Sequence, residues 1–211
     1  MALLLTTAIL AGCTKKKSAA YLAKRIPKED KRYPSFLYVL DLMTERQAKV
    51  IVETGTARNG QDNCLGDGCS TIILGEWAKD HDAVLYSVDI DPQAIANARQ
   101  AVAVFNDKVN FIVSDSVALL KNFRQYNQQI DFLYLDSFDV DRNNPDPSQQ
   151  HHLKEIKAAY PFLGKNSIIM IDDCFEPEQG CKTGKGKLVI EFLLSEGWKK
   201  SMNGYQTILV K

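Results

Sequence analysis

Acidic residues close the short apolar runs of this chain, and their positions suggest ligand chemistry. Asp136 follows Phe132-Leu133-Tyr134-Leu135, and Asp172-Asp173 follow Ile168-Ile169-Met170-Ile171. Three carboxylates brought together would repel unless a cation or protons compensate. Hard oxygen donors of this kind suit Mg2+ or Mn2+. A further pair stands in Ser87-Val88-Asp89-Ile90-Asp91-Pro92. A carboxylate at such a strand end can accept hydrogen bonds from both hydroxyls of a ribose. That role falls to Asp89, with Ile90 beside it, while Asp91 reads as the cap of the helix that Pro92 opens. The run Val52-Glu53-Thr54-Gly55-Thr56-Ala57 joins an acid to a glycine. There Gly55 would let the backbone approach a ligand where a Cβ would clash. Val113-Ser114-Asp115-Ser116 closes another run; Asp115 either meets a ligand or caps the next helix.

These residues need a scaffold that gathers strand ends. The predicted strands are Val50–Glu53, Val84–Val88, Val109–Val113, Asp131–Leu135 and Ser167–Ile171. Each is short, apolar and bounded by polar residues, as buried parallel strands are. Between them lie predicted helices at Ser70–Lys79, Pro92–Phe105, Val117–Phe123 and Ser148–Tyr160, and Lys185–Glu196 follows the fifth strand. Trp198–Met202 and Tyr205–Val210 flank Asn203-Gly204 and read as a hairpin. The alternation specifies right-handed βαβ units. The expectation is an α/β fold: a doubly wound, mostly parallel, seven-stranded Rossmann-like sheet with an antiparallel C-terminal hairpin and helices on both faces. Ligands bind such sheets outside the carboxyl ends of the strands.

The chain has 211 residues, with 26 basic and 26 acidic side chains. Residues 1–35 carry net +6 and the remainder net −6. An acidic body argues against nucleic acid as a partner. The basic segment is either solvated or in weak contact with an anionic membrane surface. Two regions are expected: residues 1–35, a basic N-terminal segment with a signal, an anchor or a helix, and residues 36–211, a single domain that holds the strand-end acids. The five cysteines are odd in number and scattered, so reduced thiols are expected.

The order of elements and motifs resembles the class I S-adenosylmethionine-dependent methyltransferases. Glu53 and Gly55 match the acidic-x-Gly of the first motif, and Gly66-Asp67-Gly68-Cys69-Ser70-Thr71 matches the Gly-x-Ser-Thr entry to the first helix. Arg58–Leu65 then reads as an insertion between the two. Asp136 and the Asp172-Asp173 pair are similar to the metal-binding acids of small catechol-type and macrolide/sugar O-methyltransferases. The resemblance implies methyl transfer from S-adenosylmethionine to a small-molecule acceptor, an oxygen by preference, with divalent metal assistance through Asp136, Asp172 and Asp173. It implies cofactor contacts at Glu53, Gly55, Thr56, Ser70, Asp89, Ile90, Asp115, Ser116 and Asp136. Where the catechol-type pattern has a lysine as general base, three residues past the first metal acid, this chain has Asp139. A carboxylate can serve there if its pKa is raised; His151 and His152 are the alternatives. The acceptor's identity and the oligomeric state stay open.

Two other readings remain. A glycine turn followed by an acid also describes an NAD-type oxidoreductase. Leu10-Ala11-Gly12-Cys13 resembles a lipobox, which would make the chain a membrane-anchored lipoprotein through Cys13, and at the extreme a non-catalytic one. The cytosolic supply of the implied cofactor favours the cytoplasm.

Overall fold

The computed structural model describes residues 17–127 and 129–211. The lipobox-like residues 10–13 lie outside them.

Seven strands form one sheet in the order β3-β2-β1-β4-β5-β7-β6. They are β1 Val50–Thr54, β2 Val84–Asp89, β3 Val109–Val113, β4 Ile130–Leu135, β5 Leu163–Ile171, β6 Lys199–Met202 and β7 Thr207–Val210. The first five pair in parallel, β7 runs antiparallel to β5, and β6 antiparallel to β7. This is the expected sheet with its terminal hairpin.

Side chains alternate between two cores with the period of a strand. Ile51, Leu85, Phe132, Tyr134, Ile168, Met170 and Ile208 face one core. Val52, Tyr86, Leu133, Leu135, Ile169, Ile171 and Leu209 face the other. Both faces are buried, which is why these strands read as continuous apolar runs. The first core is covered by α1 Ser18–Leu22, α2 Tyr33–Glu45 and α4 Ser70–Asp80, through Tyr21, Leu22, Phe36, Leu40 and Trp77. The second is covered by α6 Ser116–Lys121, α7 Asp146–Ala159 and α8 Lys187–Ser195, through Leu119, Leu120, Ile156, Val189 and Leu193. The short α3 Cys64–Asp67 stands before α4, and α5 Pro92–Ala101 lies between β2 and β3 in the chain.

Three expectations need correction. Residues 18–32 are part of the domain, because Tyr21, Leu22 and Ile26 are buried in the same core as Phe36; a boundary before residue 36 would cut through it. The helix from Pro92 stops at Ala101 and continues as a 3-10 segment at Ala103–Lys108. The cysteines are not all reduced: Cys64 pairs with Cys69 and Cys174 with Cys181. Close spacing in sequence gave no zinc pattern, yet each pair closes one tight loop, with Cα atoms 4.7 and 4.6 Å apart. Among the described residues no helix is long and apolar enough to cross a membrane.

Candidate functional site

The site forms where the strand order reverses between β1 and β4. Ladder hydrogen bonding runs one residue past the strand ends there. The Gly55 amide donates to the Val88 carbonyl at 2.8 Å, Asp136 to Thr54 at 3.0 Å, Asp172 to Leu135 at 3.1 Å and Ser114 to Asp89 at 3.0 Å. Register alone therefore brings residues from five parts of the chain to one rim.

Two cavities adjoin this rim. The first, about 270 Å³, is lined by Gly55, Val88, Asp89, Ile90, Ser114, Asp115, Ser116, Ser137, Phe138 and His151. One Asp89 oxygen accepts from the Asp91 amide at 2.9 Å. Asp91 in turn caps α5 by accepting from the Gln93 amide at 2.8 Å. Ile90 is 72% and Phe138 42% exposed, so large apolar side chains stand open on the cavity wall. Asp115 is the cap that the sequence offered as one alternative, accepting from the Ala118 amide at 2.8 Å, and it also lines the cavity. His151 stands within 3.1 Å of the Ser116 hydroxyl and beside the Phe138 ring. Its hydrogen bond to Glu155 raises its pKa.

The second cavity, about 320 Å³, is lined by Arg32, Thr56, Arg58, Asn59, Gly66, Asp67, Asp136, Asp139, Asp172, Asp173 and Lys185. Carboxylate oxygens of Asp136, Asp172 and Asp173 lie within 4.8 Å of one another, as the sequence predicts. The sequence does not predict what stands among them. The Lys185 ammonium is buried, hydrogen-bonded to Asp136 and 3.1 Å from Asp173 Oδ2. Arg32 Nε lies 4.0 Å from Asp172 Oδ2. Burial pushes the Asp136 carboxyl up, against the pull of Lys185. Burial also opposes ionisation of Asp173, but the Lys185 charge and the Tyr205 hydroxyl hold it below the usual range.

Consecutive residues line the two cavities: Gly55 and Ser137 the first, Thr56 and Asp136 the second. A Cβ on Gly55 would come 2.5 Å from the Asp136 carbonyl oxygen, and its φ of +86° favours glycine.

Several expected roles change. Glu53 is fully buried and lines neither cavity. Its carboxylate accepts from the hydroxyls of Ser70, Thr71 (2.8 Å) and Ser87 (2.8 Å). It ties β1, β2 and α4 together beneath the loop, and Ser70, which donates its hydroxyl hydrogen to it, lines neither cavity. Burial raises the Glu53 pKa to about 7. Asp139 faces the second cavity but receives two hydrogen bonds from Arg58, both 2.9 Å, which hold its pKa down. A base needs the opposite shift. His152 is buried, and burial lowers its pKa to about 4. It has no access to an acceptor. Thr56 lines the second cavity instead of the first.

Lys185, Arg32, Ser137 and Phe138 were not singled out from the sequence. Ser137-Phe138 directly follow Asp136 and carried that signal. Lys185 is marked by its glycine neighbours in Gly184-Lys185-Gly186, whereas Arg32 looked like one more charge of a basic tail.

The open apolar walls and the Asp89 carboxylate fit an adenosyl group. The fit to a resident divalent ion is poor. The donor set is right, but an ammonium already stands between two of the three carboxylates.

Comparison with known proteins bears on the fold. The fold matches an O-methyltransferase from Bacillus cereus in complex with SAH (S-adenosylhomocysteine) at TM-score 0.60 and 15% identity, covering 92% of this chain and 88% of that one. It matches a methyltransferase from Geobacter sulfurreducens at 0.56 and 15%, covering 91% and 93%. It also matches the MycE methyltransferase of the mycinamycin biosynthetic pathway, in complex with Mg and SAH, at 0.61 and 12%, covering 93% of this chain and 54% of that one. No curated protein matches by sequence. A family model described as a methyltransferase domain matches residues 65–174, just over half of the chain. The chain belongs to this methyltransferase family, on the class I S-adenosylmethionine-dependent fold.

Proposed function

We propose that the protein transfers the methyl group of S-adenosylmethionine to a hydroxyl of a small, polar acceptor. The observation that carries this reading is the pair of cavities lined by consecutive residues at Gly55-Thr56 and Asp136-Ser137: one apolar-walled with a ribose-type carboxylate, the other charged. When bound, the cofactor supplies a methyl on a sulfonium that is already a good leaving group. The protein's task is alignment. Asp89 accepts from the ribose hydroxyls, Ile90 and Phe138 cover the faces of the adenine, and Asp115 with Ser116 stands at its edge. On the other side Arg32, Arg58 and the acids select an acceptor that makes hydrogen bonds. Asp172 Oδ1 is buried with no hydrogen-bond partner, and an acceptor hydroxyl would supply one. Asp136, which lines the second cavity, takes the acceptor's proton. The family match and the antiparallel end of the sheet leave the NAD-type reading without support.

The two disulfides support maturation in an oxidising compartment over the cytoplasm, since they persist in the one and are rare in the other.

Ultraviolet cross-linking of methyl-labelled S-adenosylmethionine tests the reading. Label should be competed by S-adenosylhomocysteine and map to peptides containing Ile90 or Phe138. Label elsewhere, or label that resists competition, would contradict it.

A further inference from the structure

Lys185 is a lysine with no exposed surface, and such residues are almost never fully buried unless paired. Its partners are the acids that the family resemblance assigns to a metal ion. We propose that the Lys185 ammonium takes the place of a divalent cation among Asp136, Asp172 and Asp173, so that the site holds no resident metal. The proposal rests on the transferase reading for its purpose, but not for its geometry.

The position is built, not incidental. Lys185 follows Gly184, where a Cβ would collide with the Asp173 carbonyl oxygen and come 2.7 Å from the Phe175 amide nitrogen. Only a residue without a side chain lets this segment lie flat against the end of β5. The Lys185 amide donates to the Asp173 carbonyl at 3.2 Å, and Gln149 Nε2 holds the Gly184 carbonyl at 2.9 Å. The Cys174–Cys181 disulfide closes the loop that leads from the acids to the lysine. The side chain is thus delivered from a pinned backbone.

Charge gives the reason. Three carboxylates in a space 4.8 Å across repel strongly and need compensation. Lys185 touches two of them and Arg32 approaches the third. A Mg2+ or Mn2+ ion sits about 2 Å from its oxygens and would need the volume the ammonium fills. Ion and ammonium exclude each other by both size and charge.

The test compares native protein, Lys185→Gln and Lys185→Arg for Mn2+ binding. Loss of the free Mn2+ electron paramagnetic resonance signal and the metal-dependent shift in Tm are the readouts. S-adenosylhomocysteine binding is followed in parallel by calorimetry. The native chain and Lys185→Arg should show no Mn2+ binding up to millimolar metal. Lys185→Gln should bind at least tenfold more tightly than native, with a Tm that climbs as Mn2+ is added. Should Lys185→Gln not fold alone, the double variant Lys185→Gln/Asp173→Asn removes one buried negative charge along with the lysine and is read the same way. Mn2+ binding by the native chain as tight as by the variant would overturn the proposal. So would a folded Lys185→Gln that binds Mn2+ no more tightly than the native chain. Failure of the native chain to bind S-adenosylhomocysteine would strike the transferase reading instead, and the Mn2+ comparison would still be decided on its own.

Discussion

At Asp89 one carboxylate oxygen is committed to the Asp91 amide, which fixes the side chain and leaves the other oxygen for a ligand. Replacing it with Ala leaves bound ribose hydroxyls unpaired. We expect Asp89→Ala to lower S-adenosylhomocysteine affinity by ~2–3 kcal/mol, roughly 30–150-fold, with the fold intact. Calorimetry on protein of unchanged circular dichroism checks this, and unaltered affinity would remove Asp89 from the site. Glu53 belongs to a different chemistry. Its carboxyl titrates near pH 7 because burial outweighs three donated hydrogen bonds. Between about 4.5 and 7 the folded chain holds a proton that the unfolded chain has released, so stability falls as pH rises through that window. Glu53→Gln carries no such proton. The native chain should therefore lose up to about 3 kcal/mol relative to Glu53→Gln between pH 4.5 and 8. Urea midpoints for both at pH 5 and pH 8 measure it; parallel pH profiles would show that Glu53 titrates normally.

At the scale of elements, the turn after β1 is the tightest constraint. Gly55 combines a left-handed backbone with a contact to the Asp136 carbonyl that leaves no room for a Cβ. Gly197 has a similar φ of +81° but open space around it. Gly55→Ala should cost roughly 2–4 kcal/mol and impair cofactor binding. Gly197→Ala should cost ~1 kcal/mol from the backbone alone and leave binding untouched. Denaturation and binding measured on both separate collision from backbone strain; equal costs would contradict the close approach at Gly55. The elements themselves were legible because both sheet faces are buried. Apolar runs such as Ile168–Ile171 and Leu133–Leu135 could only be central strands, and Asp91-Pro92 announced a helix. Strand-end acids were legible for the same reason, since each follows its run directly. The partners of those acids were not. That Glu53 faces α4, that Arg58 reaches Asp139 and that Lys185 returns to β5 are all contacts between segments far apart in sequence. Local pattern carries no trace of them beyond the glycines around Lys185.

For the whole molecule, the cysteines tie structure to surroundings. The two disulfides bracket the site, one before α4 and one after β5. Cys13 is the remaining cysteine of the five. Alkylation of the denatured, unreduced native protein should therefore modify no more than one thiol per chain, and reduction should release four more. Mass spectrometry counts them. Five reactive thiols without reductant would contradict the disulfides and restore the cytoplasmic expectation. The basic N-terminal segment is likewise not a separate appendage from residue 18 onward. Tyr21 and Ile26 are core residues, and Arg32 reaches the second cavity.

The central claim is that the cavity at the ends of β1, β2 and β3 binds the adenosyl group of S-adenosylmethionine. Isothermal titration of the native chain with S-adenosylhomocysteine, and separately with NAD, tests it most directly. The account predicts one saturable site per chain for S-adenosylhomocysteine and no heat from NAD at the same concentration. A folded chain that takes up NAD, or that shows no saturable S-adenosylhomocysteine binding, would contradict it.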